Sequence, residues 1–189
     1  MKPESEKMFY CFFKSPIGVI KLVSSNDSII EVSFIDTNKI SINNTINTID
    51  RYILKLEMTP ILKNAVKQLN QWFRKERVNF ELPLRLYGTF FQKLVWESLK
   101  FLQFGSLISY KEFAAFIGMS KSYRAVSHAI SQNPILILNP CHRVVSINTE
   151  LSGFSGGLHR KQQLLNHEGH LYLECYKNSK NQHNYKPKI

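Results

Sequence analysis

Cysteine is scarce in this chain. The 189 residues include three, Cys11, Cys141 and Cys175, an odd number with no repeated spacing. That argues against a disulfide framework, a zinc ribbon or a CxxC redox pair. Long apolar runs are missing as well: no stretch of about 18 apolar residues occurs, so no membrane-spanning helix is expected. The first residues, "MKPESEKMFY", are charged and lack the apolar core of a secretory signal, which makes the cytoplasm the expected compartment. No internal repeat is present. Acidic side chains are few, 14 against 25 Lys and Arg, for a formal charge of +11. Basic residues outnumber acidic ones 13 to 9 in residues 1–87, 6 to 2 in 88–145 and 6 to 3 in 146–189, so the excess is spread over the molecule. Such a charge suits approach to a polyanion, DNA or RNA, with a generic basic protein as the plain alternative.

What is present points to an ordered α+β protein. Hydrophobic residues make up 43% and aromatics 12%, and the length suits one large domain or two small ones. "MFYCFFKS", "VIKLVSS" and "IIEVSFI" read as antiparallel strands, separated by turns at Pro16–Gly18 and Asn26–Asp27. A polar stretch at 37–48 reads as a surface loop. Thr59-Pro60 predicts a helix start, with Leu62, Ala65, Val66, Leu69, Trp72 and Phe73 on its apolar face. "VNFELPLRL" predicts another strand, ending at the domain boundary expected at Tyr87-Gly88.

After Gly88 short helices take over. Thr89 can cap one that carries Phe90, Leu94, Val95, Leu99 and Leu102; "SYKEFAAFIG" predicts a second ending at Gly118. Ser120 or Ser122 can cap a third, "SYRAVSHAIS". Two short helices around a glycine turn match a helix-turn-helix in outline, and many helical pairs that bind no DNA look the same. The expected division is an α/β domain over 1–87, a mostly helical domain over 88–172 and a basic tail over 173–189.

"ILILN" reads as a buried strand leading to Pro140-Cys141-His142-Arg143. A cysteine there is a reactive thiol, part of a metal site, or a small packed side chain. The imidazole and guanidinium that follow it can favour thiolate. Downstream, "GFSGG" leads into a helix that ends at Glu168, and a carboxylate-supported histidine can serve as base for a thiol. Zinc ligand pairs usually sit about two to four residues apart. Adjacent Cys141 and His142 with His167, His170 and Cys175 fit no such pattern, so no metal is expected.

Several short stretches keep one register. They are "GTFFQKLVW" at 88–96, "SY" at 109–110, "RAV" at 124–126, "NP" at 133–134, "PCHRVV" at 140–145, "GFSGG" at 153–157, Lys161, "LL" at 164–165 and "HEG" at 167–169. Over residues 88–170 the chain resembles the O6-alkylguanine-DNA alkyltransferases, also called methylated-DNA–protein-cysteine methyltransferases. The first third fits their small α/β domain only loosely. The resemblance implies a winged-helix-like DNA-binding domain and a single-turnover transfer of an alkyl group from O6-alkylguanine in duplex DNA to Cys141. O4-alkylthymine is a second candidate substrate.

By the same resemblance, His142, oriented by Glu168, takes the thiol proton through a water, and Asn133 braces the turn. Arg124 fills the gap left by the flipped base, Tyr110 rotates the nucleotide, and Ala125 permits close approach in the minor groove. Ser155 offers its N–H to guanine O6, the Val144 carbonyl faces the base, and Phe154, Ile130 and Leu136 wall the pocket. Such a reaction needs a flipped base but no cofactor, and a monomer suffices. The zinc of some relatives would need N-terminal ligands beyond Cys11. Asn139, Ser127 and Thr149 depart from the family's usual residues, Ile or Val in the first case and often Gly in the other two. The alternatives are a non-catalytic protein that binds alkylated DNA and flags it for other repair, which the presence of Cys141 opposes, and a helix-turn-helix regulator.

Overall fold

The computed structural model describes residues 7–35, 53–146, 151 and 153–170. The polar stretch at 37–48, Thr149, Cys175 and the 173–189 tail lie outside them.

Strands β1 (Lys7–Ser15), β2 (Gly18–Ser24) and β3 (Ile29–Ile35) form the expected antiparallel meander. Gly18, with φ 125°, takes a backbone conformation costly for other residues where the β1–β2 turn closes. A fourth strand, β4 (Ile53–Leu56), was not anticipated. It pairs parallel to β1, so the sheet runs β3-β2-β1-β4 and is mixed rather than antiparallel throughout. Helix α1 (Pro60–Phe73) starts as predicted: the Thr59 hydroxyl accepts from Leu62 N, and Pro60 opens the first turn. Leu62, Ala65, Leu69 and Trp72 are fully buried in the main core. Burial of a large apolar side chain is worth roughly 1.5–3 kcal/mol.

Two expected strands do not form. In "VNFELPLRL" only Leu84 bridges, parallel to Ile29. Phe80, Leu82, Leu84 and Leu86 do pack against the core, so the alternation was real, but Pro83 has no N–H and offers only its carbonyl, to Ile29 N at 2.8 Å. In "ILILN" only Ile135 bridges, to Val32. Leu138 N donates to Leu136 O across a turn with Ile137 at φ 69°, which buries Ile135, Leu136, Ile137 and Leu138 together. A strand would have sent alternate side chains to opposite faces.

The second half holds α2 (Phe90–Ser98), β5 (Ile108–Ser109), α3 (Tyr110–Phe116), α4 (Tyr123–Ser131), β6 (Val144–Val145) and α5 (Leu158–His167). Thr89 with Gln92, and Ser109 with Glu112, form reciprocal capping boxes. Of the residues the expected helix carries, Phe90 points outward at 86% exposure, and Leu99 and Leu102 lie beyond the end of α2. Gly118, at φ 75°, terminates the α3 segment. Neither Ser120 nor Ser122 caps α4; residues Ser120–Ser122 form a 3-10 turn of their own, and no side chain caps the helix. Helix α4 buries Val126, Ala129 and Ile130 and leaves Arg124, Ala125 and His128 exposed.

The two halves share one core. Val32 on edge strand β3 donates to Pro134 O at 3.0 Å and accepts from Leu136 N at 2.9 Å. The sheet edge therefore anchors the turn that leads to Cys141. On the other side, β5 pairs parallel with β6, tying the start of α3 to the residues after Cys141. No helix among the described residues is long and apolar enough to cross a membrane.

Candidate active site

Cys141 opens a 3-10 turn, Cys141–Arg143, rather than ending a strand, and is only 3% exposed. Burial pushes its thiol up to about 11; the Asn133 amide and the Lys161 charge act in the opposite direction. The resting sulfur is therefore a protonated thiol at neutral pH, and its reaction requires a base.

Asn133 follows the end of α4 and is itself buried. Its Nδ2 donates to Cys141 Sγ at 3.1 Å, to Asn139 O at 2.8 Å and to Ile135 O at 3.2 Å. Its Oδ1 accepts from Ile135 N at 3.2 Å and from Asn139 Nδ2 at 3.3 Å.

On the other side of the turn, His142 Nε2 lies 2.9 Å from Glu168 Oε1, and Arg143 donates to both oxygens of the same carboxylate at 2.8–3.2 Å. Gly105 N adds a fourth donor at 3.1 Å. Burial alone would raise the Glu168 pKa, but the hydrogen bonds and charges of His142 and Arg143 prevail and hold it down to about 2. Glu168 is thus ionised and accepts the Nε2 proton. Burial lowers the pKa of His142 despite that carboxylate, so the ring rests neutral with its proton on Nε2. Its Nδ1 has no hydrogen-bond partner among the described residues, so its lone pair remains available to accept a proton.

Lys161 on α5 is fully buried. Its ammonium donates to Val144 O at 2.6 Å and to the Tyr110 hydroxyl at 3.5 Å. Burial depresses its pKa to about 8, partly offset by the Cys141 sulfur. A contact of Tyr110 OH with Gly153 O at 3.4 Å ties α3 to the glycine-rich loop. Within that loop a Cβ on Gly156 would come within 2.6 Å of Phe154, 2.9 Å of Phe34 and 3.2 Å of Leu136, so only glycine lets the loop pack this closely.

Cys141, His142, Glu168 and Asn133 are thus brought into one buried cluster. Ser155 and Leu136 line a cleft of about 560 Å³ together with Asn133, Pro134, Tyr87 and Phe34, while Cys141 is not among its lining residues. Phe154 and Ile130 are buried and do not line that cleft. The Val144 carbonyl accepts from Lys161. Arg124 stacks near Tyr123, 5.8 Å from the ring centroid, on the exposed face of α4 beside Ala125. Ser127 turns its hydroxyl back to Tyr123 O at 2.8 Å. His167 and His170 bond the backbone carbonyls of Trp72 and Gly105, at 2.9 Å each. No group of three His, Cys, Asp or Glu among the described residues is placed to hold a metal.

Sequence reasoning missed the roles of Lys161, Arg143 and Asn139. A signal existed for the first: Lys161 precedes the buried Leu164 and Leu165 by three and four residues, on the same helical face.

Two family models match the chain, one in each half. Residues 8–86 match the family model "6-O-methylguanine DNA methyltransferase, ribonuclease-like domain", and residues 90–170 match its "DNA binding domain". The methylated-DNA–protein-cysteine methyltransferase of Methanosarcina acetivorans is 38% identical over 86% of this chain and 99% of its own length. The constitutive enzyme of that name from Bacillus subtilis is 33% identical over 88% of this chain and 98% of its own. Among solved structures, Mycobacterium tuberculosis O6-methylguanine methyltransferase superposes with a TM-score of 0.73 at 33% identity, covering 85% of this chain and 92% of that one. The same organism's OGT in complex with DNA superposes at 0.72 and 31% identity, over 86% and 92%. With both domain models in order and relatives matched nearly end to end, the chain belongs to the 6-O-methylguanine DNA methyltransferase family.

Proposed function

We propose that this protein repairs DNA by direct reversal, moving a methyl or larger alkyl group from guanine O6 onto Cys141 once per molecule. The observation that carries the reading is a buried thiol held by the Asn133 amide next to a neutral, carboxylate-anchored imidazole with a free Nδ1. The proton leaves Sγ for His142 through a water. Sulfur then attacks the alkyl carbon, the C–O6 bond breaks, and guanine departs after taking up a proton. The thioether product is stable and leaves no thiol for a second turn.

The guanine must leave the duplex to reach a 3% exposed sulfur. Arg124, exposed on α4, fills the vacated stack, Ala125 allows the helix close to the minor groove, and Tyr110 turns the nucleotide. Ser155, Phe154, Leu136, Ile130 and the Val144 carbonyl surround the base. The chain divides at Tyr87-Gly88 into an α/β unit and the DNA-binding, catalytic unit, followed by a basic tail from residue 173. It acts as a monomer in the cytoplasm. The charge of +11 supports loose scanning of undamaged DNA.

Intact-mass measurement after incubation with duplex carrying O6-methylguanine tests the reading. A gain of one methylene, mapped to the Cys141 peptide, is the expected result. Tight binding without any mass change would leave only a lesion-binding protein. Arg124→Ala is expected to slow transfer from duplex by about tenfold or more, since base eversion costs a few kcal/mol, while transfer from the free alkylated base is nearly unchanged. Equal slowing of both reactions would remove Arg124 from the flipping step.

A further inference from the structure

Asn139 is completely buried. Its Nδ2 donates to Trp96 O at 3.0 Å and to Asn133 Oδ1 at 3.3 Å. Its own Oδ1 has no partner among the described residues. An orphaned buried acceptor is unfavourable, and an apolar side chain of the same size would avoid it. Packing therefore does not account for an amide at this position; its donor group does.

The recipient of that donor is the amide that holds the nucleophile. Asn133 can present either Nδ2 or Oδ1 to Cys141 Sγ, and only Nδ2 stabilises a thiolate; Oδ1 would repel it. Two donors on Oδ1, Ile135 N and Asn139 Nδ2, select the productive orientation. They also polarise the amide, which makes its N–H groups stronger donors to sulfur. The same Trp96 whose carbonyl anchors Asn139 donates its indole N–H to Ala129 O of α4 at 2.7 Å. Hydrogen bonds joined through the Trp96 residue thus connect α4, the helix that carries Arg124, to the thiol.

Building on the reading of Cys141 as alkyl acceptor, we propose that Asn139 is a positioning residue, which holds the Asn133 amide with its N–H toward the sulfur and so favours thiolate formation during transfer. The other charged and titratable groups around Cys141 are Lys161 with Tyr110 on one side and the closed His142–Glu168–Arg143 cluster on the other. The side-chain hydrogen bonds of Asn139 go to Trp96 and Asn133 and to none of these.

The test is Asn139→Leu, nearly isosteric and without a donor. Transfer from duplex O6-methylguanine should slow about threefold or more with DNA binding unchanged. The Cys141 titration, followed by its Cβ chemical shift, should move up by about half a unit or more. In an Asn133→Ala background the same substitution should add no further slowing, because its effect passes through Asn133. An unmoved Cys141 titration, or full additivity of the two substitutions, overturns the proposal and makes Asn139 a packing residue. Should Asn139→Leu not fold, Asn139→Ser, too short to reach Asn133, is read on the same titration. If the wild-type protein takes no methyl at Cys141, the underlying assignment fails. If the wild type is methylated and the variant titrates like it, only the role of Asn139 is lost.

Discussion

Glu168→Ala is expected to take up alkyl groups too slowly to measure and to unfold about 3–5 kcal/mol more easily than wild type. Four donors converge on this carboxylate, from His142, Arg143 and the Gly105 backbone, and the side chain is sealed from solvent. Removing it leaves an uncompensated guanidinium in the core and lets the imidazole lose both its orientation and its Nε2–H tautomer. Glu168→Gln keeps the volume and one acceptor, so it should recover part of the stability but little of the transfer. Denaturant unfolding and single-turnover transfer measure the two effects, and wild-type behaviour in both for Glu168→Ala would remove the carboxylate from the mechanism. The pH dependence has a definite sign. Glu168 is held near 2 in the folded protein against an ordinary value of about 4.3. Its contribution is present above about 4.3 and lost as the pH falls toward 2, on the order of 3 kcal/mol. His142 acts in the same direction at milder pH: its folded pKa lies below the ordinary value of about 6.5. The unfolded chain therefore takes that proton first, and stability begins to fall below about pH 6.5. Glu168→Ala should keep any loss that His142 causes and lack the one between about 4.3 and 2.

Local chemistry was legible in the sequence wherever the signal and the structure involve neighbouring residues. Thr59 before Pro60, Thr89 and the glycine at 118 all perform the backbone tasks their residue types suggest. The meander β1–β3 was legible because turn residues bracket each strand. The failures share one cause. In residues 78–86 and 135–139 the apolar pattern correctly marked burial, but whether a buried segment is a strand depends on a partner backbone elsewhere in the chain. In the first segment Pro83 lies beside a single bridge from Leu84 to Ile29, and in the second the positive φ of Ile137 turns the chain. Strand β4 is four residues long, and its partner lies more than 40 residues earlier in the chain. The candidate site divides in the same way. Cys141, His142 and Glu168 stood out as reactive residue types in one register. Asn139 stood out only as an unexplained polar residue, because its meaning lies in Trp96 and Asn133, which no local pattern associates with it. In the sequence Lys161 marks only one position of the shared register, and the packing of α5 against the Cys141–Arg143 turn takes it out of water.

Lys161→Met is expected to slow transfer about tenfold to a hundredfold at neutral pH. The ammonium lowers the thiol pKa of Cys141 through space, and each unit lost costs a factor of ten in thiolate. The variant also loses the donor to Val144 O, the carbonyl proposed to face the base. Stability should change by only about 1 kcal/mol, because removing a buried cation offsets the carbonyl left without its donor. The pH profile separates a charge effect from a packing one. Lys161 carries its proton below a folded pKa of about 8. The ratio of wild-type to Lys161→Met rates should therefore be largest below pH 8 and shrink as the pH rises through it. The stability sign is the reverse of the usual lysine case. Because the folded pKa lies below the ordinary value of about 10.4, the unfolded chain binds this proton more tightly, and the cost of burying the charge is relieved as the pH climbs from about 8. Lys161→Met should lack that alkaline gain. A constant rate ratio across pH 6 to 10 would show that the variant acts through packing around Val144 and Tyr110 and not through the charge opposite the sulfur.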